Sequence, residues 1–320
     1  LTAQGPTSVV IQRRSSREGA SGSDRPAVGD WLALEIVSES PRLGALREIL
    51  PRTGAFVRQR PSDGRPQVLA ANVDTAFLVS GLDHDLNLRR IERYLLLSLE
   101  GGVTPVVVLN KVDIALDLPR AVADVHAIAA GTRVVVTSAL DGTGIDELRT
   151  LLEPGSTACL LGSSGVGKSK LTNALLGEER QVTKALREDD SKGRHTTTHR
   201  ELFAVPGGGL LIDTPGLRTV GVLGSVGALS ATFDEVEAVA RQCRFSDCRH
   251  ETEPGCAVRA AIEAGTLAPE RVASHHKLEA ERHYAELRAE ERARREADRK
   301  LGRFFKQHKM ELRRRGRKDY

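Results

Sequence analysis

The chain is poor in aromatic side chains. Phe, Trp and Tyr together make up 3% of its 320 residues, with a single Trp. Its cores must therefore be aliphatic. No apolar run approaches the ~20 residues that cross a bilayer, so a spanning helix is excluded. No basic, apolar and small-residue succession opens the chain as a secretory signal would. The only methionine is Met310, so Leu1 is not expected to be a natural start and the native N-terminus is expected upstream. There is no internal repeat. What is present is 40% hydrophobic residues, enough for real cores, over a length that predicts two or three domains.

Charge is unevenly placed. The net value is +4, yet Arg271–Tyr320 holds 17 Lys and Arg against 9 Asp and Glu, which is +8, and leaves −4 for the rest. A basic excess at one end suits a polyanionic partner, although a solvated charged helix has the same composition.

Three segments follow from the patterning. Residues 1–67 carry short β-like runs, Ser8–Ile11 and Trp31–Val37, around a polar Arg/Ser/Gly stretch, Gln12–Pro26, and end in the Pro/Gly-rich Arg60–Pro66, which reads as a linker. Residues 68–222 alternate apolar strands with amphipathic helices. Phe77–Val79, Val106–Leu109, Val134–Val136 and Ala158–Leu161 are buried-strand runs, and the helices between them predict a parallel sheet. Residues 223–320 are helical, with a polar Glu270–Lys300 stretch and the basic run Arg313–Lys318.

The central segment holds a phosphate loop, Gly162-Ser163-Ser164-Gly165-Val166-Gly167-Lys168-Ser169, followed by Lys170 and a helical run. The glycines allow a tight turn whose N–H groups surround phosphate oxygens at a helix start. Lys168 brings a positive charge to the β- and γ-phosphates, and Ser169 a hydroxyl to Mg²⁺. The base is chosen elsewhere. Asn110-Lys111-Val112-Asp113 reads N-K-x-D at a strand's end. A carboxylate at Asp113 accepts from guanine N1–H and the 2-amino group, neither of which adenine offers, while Lys111 can lay its stem along the base and Asn110 can brace neighbouring loops. Ser138-Ala139 at the end of the next strand can meet guanine O6. Asp213-Thr214-Pro215-Gly216 supplies an Mg²⁺ partner at Asp213 and a γ-phosphate N–H at Gly216, and a threonine of Thr196–Thr198, with Thr196 or Thr197 favoured, can complete the Mg²⁺ shell.

The order of these parts is permuted. The guanine-reading motif precedes the phosphate loop, so the chain reads as a circularly permuted GTPase. Whatever follows Gly216 is then wired to the loop that senses γ-phosphate. Leu217 stands where many GTPases carry a water-positioning Gln. His195 is the candidate replacement as a catalytic group beside Lys168; its alternative role is to position the loop or meet a partner.

Cys243-x₄-Cys248-x-His250-x₅-Cys256 is a Cys₃His set within fourteen positions. That spacing matches one structural zinc ion with no open coordination position. Disulfides are the rival reading, and they fit poorly with a chain built to use GTP and Mg²⁺ in the cytosol.

With these parts in order, the chain resembles the ribosome small subunit-dependent GTPase A family of bacteria. The resemblance covers nearly all of it and rests on Ala70-Ala71-Asn72-Val73-Asp74, Gly193-Arg194-His195-Thr196-Thr197-Thr198, the Cys₃His spacing and Ile49-Leu50-Pro51-Arg52. It implies a multidomain fold: an N-terminal β-barrel (OB-fold), short at its start, a central α/β circularly permuted P-loop GTPase, and a C-terminal α-helical zinc-binding domain. It implies a cytoplasmic monomer that hydrolyses GTP late in small-subunit assembly, is stimulated by the small ribosomal subunit and its rRNA, and does not bind membrane. Trp31 and Phe56 are the only aromatic candidates for stacking on RNA in the first segment. Two rivals stand beside this expectation: a nucleotide-gated RNA-binding module with incidental hydrolysis, motivated by Leu217, and a zinc- and RNA-binding structural protein with a vestigial nucleotide site.

Overall fold

The computed structural model describes residues 8–10, 25–39, 42–60, 65–83, 85–179, 201–213 and 225–315. Strands β1 (Ser8–Val10), β2 (Leu32–Glu39) and β3 (Arg42–Ile49) form a three-stranded sheet in the order β1-β3-β2. Strands β4 (Ala55–Gln59) and β5 (Pro66–Ala71) pair antiparallel, with Gln59 opposite Pro66. The stretch expected as a linker therefore lies between two paired strands, with the Arg60 N–H donating to the Arg65 carbonyl at 2.9 Å, and β5 carries the chain across residue 67.

The β4–β5 pair does not stand apart from the centre. Phe56, Leu69 and Ala70 are buried in one core with the strands and helices that follow. Phe56 is 2% exposed, so it is withdrawn from the expected RNA-stacking pair, whereas Trp31 is 64% exposed. The motifs that carried the family resemblance do structural work here. Arg52 forks onto the Asp30 carboxylate at 2.6 and 2.7 Å. Asn72, at a positive φ of 52°, donates to the Gly29 carbonyl and accepts from the Thr53 N–H.

The central sheet has six strands: β6 (Thr75–Gly81), β7 (Thr104–Asn110), β8 (Arg133–Thr137), β9 (Thr157–Leu161), β10 (Glu201–Ala204) and β11 (Leu210–Asp213). Their order is β10-β11-β9-β6-β7-β8, parallel throughout except for the β10–β11 pair. The expected parallel sheet is present, with β10 as an antiparallel edge that the sequence pattern did not announce. The strands are rich in Val, Leu and Ile because both faces are covered. Alternate residues go to opposite cores. Leu78, Val107, Leu109, Cys159 and Ile212 pack with α1 (Leu88–Glu100) and α2 (Leu118–Ile128). Phe77, Val106, Val108, Leu160 and Leu211 pack with α3 (Ile145–Thr150) and α4 (Lys168–Leu176).

The chain starts this sheet in the middle. It runs from β6 to one edge at β8, then returns past β6 to β9 and runs to the other edge. The reversal lies between β6 and β9, and ligands of open α/β sheets bind at the carboxyl ends of the strands at such a point.

The C-terminal region consists of α5 (Val226–Thr232), α6 (Asp234–Ala240), α7 (Ala257–Glu263) and α8 (Pro269–Arg315). Their core joins Phe233, Val236, Val258, Leu267, Val272 and Leu278 to Leu96 of α1. Helix α8 is 47 residues long, about 70 Å at 1.5 Å per residue. One face of its first turns is buried, at Arg271, Val272, Ser274, His275 and Leu278, and farther along it exposes Tyr284, Leu287, Leu301, Phe304 and Phe305. Arg292 reaches back to the Gln59 side chain at 3.0 Å. Among the described residues no helix is long and apolar enough to cross a membrane.

Candidate nucleotide site and metal centre

The phosphate loop leaves β9 at the switch point and enters α4. Two of its glycines are sterically required. A Cβ on Gly162 would lie 2.5 Å from the Val79 carbonyl oxygen, and one on Gly167, at φ 96°, would lie 2.4 Å from the Asn110 amide nitrogen. Lys168 turns its ammonium onto the Gly162 and Ser163 carbonyls. Ser164, Gly165 and Lys170 are at least partly exposed, Val166 is buried, and Ser169 stands in the first turn of α4. Asp213 ends β11, the strand beside β9.

Asn110 is the hub of the site. It is 1% exposed at the end of β7. Its amide donates to the Val166 carbonyl in the phosphate loop at 2.8 Å, and its oxygen accepts from the Thr137 hydroxyl at 3.1 Å and the Ala139 N–H at 3.2 Å. One side chain thus joins the N-K-x-D strand end and the Thr137–Ala139 strand end to the Gly162–Ser169 loop. Ser138 is buried, and its hydroxyl accepts from the N–H groups of Leu140 and Asp141. Lys111 adopts a left-handed backbone with φ 69°, and Asp113 is exposed in the 3-10 turn Val112–Ile114 that follows.

Sequence reasoning missed the acidic loop after β6. Asp83 pairs with the Lys111 ammonium. Burial alone would raise the Asp83 pKa, but Lys111 and the Asp85 N–H together hold it below its usual value. Asp85 binds Arg90 at 2.8 Å, and both bind the Ser163 hydroxyl of the phosphate loop. The signal available was two carboxylates, in Gly81-Leu82-Asp83-His84-Asp85, directly after a buried strand. His195, Thr196, Thr197 and Gly216 lie outside the described residues.

The Cys₃His set is brought together. Ligand atoms of Cys243, Cys248, His250 and Cys256 all lie within 4.8 Å of one another. The His250 Nδ1 is 3.6 Å from Cys243 Sγ and 3.5 Å from Cys256 Sγ. A tetrahedral zinc with ordinary Zn–S and Zn–N bonds sets that edge at roughly 3.5 Å, so the donor set fits the ion. All the cysteines are free thiols, and the fourth, Cys159, lies apart in β9. Burial works against ionising Cys243, but the Val258 and Ala257 N–H groups at the start of α7 lower its pKa. Burial and the neighbouring thiols push Cys248 up to about 11. Glu253, also missed, accepts from the N–H groups of Arg249, Glu251 and Thr252. Those bonds shape the turn around His250 and draw its own pKa down to about 2.

Comparison with known proteins agrees with this geometry. The family profile described as RsgA GTPase matches residues 49–223. A protein of Opitutus terrae named Small ribosomal subunit biogenesis GTPase RsgA is 50% identical, covering 91% of this chain and 82% of the relative. One of Methanosarcina acetivorans with the same name is 42% identical over 88% and 78%. Among solved structures, YjeQ from Thermotoga maritima is similar at a TM-score of 0.57 and 30% identity, covering 81% of this chain and 84% of that one. YloQ, described as a circularly permuted GTPase, is similar at 0.56 and 25% over 85% and 83%. A sheet entered at its middle, with a phosphate loop at the switch point braced by the asparagine of N-K-x-D, is thus matched across most of the chain, which belongs to the RsgA GTPase family.

Proposed function

We propose that this chain hydrolyses GTP as an assembly factor of the small ribosomal subunit, and that the subunit and its rRNA stimulate the reaction. The observation that carries the reading is the Asn110 brace, which holds the guanine-reading strand end against the phosphate loop, in a chain whose relatives are named small ribosomal subunit biogenesis GTPases. Asp113 reads the guanine edge, Lys111 covers the base, and the Ser138–Ala139 backbone meets O6. The Gly162–Lys170 loop holds the phosphates, with Lys168 neutralising charge on the β- and γ-oxygens. Ser169, Asp213 and Thr196 or Thr197 hold Mg²⁺, which supplies the remaining charge neutralisation. Gly216 senses γ-phosphate, and His195 orients the attacking water, the task Leu217 cannot perform.

In this reading residues 1–67 form an OB-fold, 68–222 the GTPase domain and 223–320 the domain that holds one structural zinc. The protein works as a cytoplasmic monomer. Trp31 and the basic end of α8 grip rRNA, chiefly through phosphate and shape. The test is single- and multiple-turnover GTP hydrolysis with and without purified small subunits. A rise in turnover with subunits is expected. An unchanged rate would leave the nucleotide-gated binding module, which Leu217 favours, as the better account.

A further inference from the structure

Helix α1 makes two attachments along its first turns, one to the phosphate loop and one to the C-terminal region. At its start, Arg90 Nη1 donates to both Asp85 carboxylate oxygens at 2.8 Å and to the Ser163 hydroxyl at 2.8 Å. That hydroxyl in turn donates to Asp85. The Ser163 side chain is therefore engaged by Arg90 of α1 and Asp85 of the loop before it rather than left to the phosphate pocket. The helix itself is anchored there by Asn87, whose side chain accepts from the Arg90 N–H.

One turn later the same helix enters the C-terminal region. Arg93, on the same side as Arg90, chelates the Glu281 carboxylate of α8. Glu92 is fully buried. It accepts from Arg89, from Arg271 at 2.8 Å and from the Ser274 hydroxyl. Arg271 also binds Glu235 at 2.6 Å and the Thr232 carbonyl at 2.9 Å, and lies 4.3 Å over the Phe233 ring. Leu96 completes the attachment within the C-terminal core. A buried ion cluster whose members are all hydrogen-bonded resists gradual deformation, because any displacement leaves a charge unpaired. Helix α1 and the start of α8 should therefore move as one body.

We propose that Asp85 and Arg90 are positioning residues for the phosphate loop, acting through Ser163, and that α1 transmits the state of that loop to the metal-bearing helical region. This rests on nucleotide binding at the phosphate loop, as proposed above. When phosphates draw the loop N–H groups inward, the Ser163 hydroxyl moves with them and shifts the Asp85–Arg90 pair. Because α1 is locked to Arg271, Ser274 and Glu281, the shift reaches α8. By reciprocity, a partner that fixes α8 changes nucleotide affinity by the same factor. This route is independent of the covalent connection after Asp213.

The test uses the full chain and a fluorescent GDP. Release rates are measured for the unaltered protein, Ser163→Ala, Arg90→Ala and the double variant. Hydrogen exchange over residues 269–281 is measured with and without GDP and a non-hydrolysable GTP analogue. Each single variant is expected to speed release by about five- to tenfold, and the double variant by no more than the worse single one. Nucleotide-dependent protection of 269–281 should be present in the unaltered protein and lost in Ser163→Ala, whose side chain is remote from α8. If Arg90→Ala fails to fold, Asp85→Asn takes its place in the cycle. Multiplying effects in the double variant, or protection that survives Ser163→Ala, would overturn the proposal while leaving the nucleotide site intact. Failure of the unaltered protein to bind GDP would overturn both.

Discussion

The nucleotide site and the Cys₃His site are built by opposite strategies. The first draws residues from Asp83 to Asp213 onto the ends of one sheet, and its hub is a buried amide with three partners. The second lies within fourteen consecutive positions, flanked by helices of seven residues each. Helices that short have little stability of their own. A sheet covered on both faces holds its loops in place without a ligand. A small helical region with a short list of buried side chains needs an additional tie. The nucleotide would be a guest in a finished frame, whereas a metal ion held by the Cys₃His set would be part of the frame it occupies.

The largest effect should follow from removing the metal. Apparent zinc-binding energies of small folded sites are about 10 kcal/mol or more. Chelation, or Cys248→Ser, is expected to unfold residues 243–263 and loosen the start of α8. GTP affinity should stay within about tenfold, the size of a typical coupling between sites. Elemental analysis should find one zinc per chain before treatment. Circular dichroism that does not change on chelation would erase the contrast between the two sites.

The second effect tests the opposite side. Asn110→Ala removes three hydrogen bonds and leaves buried partners unsatisfied, a cost of about 3 kcal/mol, or roughly a hundredfold in GTP affinity. The metal content should be unaltered. A loss of less than threefold would show that the loops hold themselves without the brace.

These two sites also differ in how much of them was legible. Phosphate loop, N-K-x-D and Cys₃His are local patterns, so their spacing carries the geometry. The Asn110 brace followed from its place at a strand end. The contacts that link regions are different. Asp83 to Lys111, Arg90 to Ser163 and Glu92 to Arg271 join positions 28, 73 and 179 apart, and no periodicity marks them. Phe56 reads as a stacking candidate by sequence and is buried in the structure, because alternation in a strand does not say which face is covered. Arg60–Pro66 reads as a linker by sequence, because Pro and Gly mark a turn between paired strands and a spacer equally well, yet β4 and β5 pair on either side of it. The strands β6, β7, β8 and β9 were found because burial on both faces makes them apolar throughout.

The third effect concerns base choice. Asp113→Asn loses two charge-assisted hydrogen bonds, at ~1.5–3 kcal/mol each. GTP affinity should fall tenfold or more, while xanthosine triphosphate binding improves, because the amide can donate to the 2-oxo group that a carboxylate repels. Unaltered GTP binding would remove Asp113 from the base site. His195→Ala belongs beside it as a kinetic test. Subunit-stimulated turnover should drop by about tenfold with nucleotide affinity nearly constant, and equal stimulated rates would reduce His195 to a loop residue.

The smallest effect sharpens the comparison most, because it probes whether the nucleotide site is preformed down to one surface pair. Asp83 tethers the Lys111 ammonium before any base arrives. Its pKa lies below the usual 3.8 because Lys111 outweighs the burial that would raise it. A carboxylate with a depressed folded pKa stabilises the native state above its unfolded value, and the contribution is lost as pH falls through the folded value. The window is therefore below about pH 4. The side chains are 20% and 27% exposed, and solvent screening keeps the pair under about 1 kcal/mol. Asp83→Asn should thus weaken GTP binding only about two- to fivefold at neutral pH. It should also shift the urea midpoint slightly at pH 7, a shift that shrinks as pH falls below about 4 and Asp83 takes up its proton. A midpoint difference that persists undiminished at pH 3 would show that Asp83 acts by shape rather than charge. A loss of GTP affinity beyond tenfold would make the Lys111 tether a principal part of base binding rather than a minor preorganising contact.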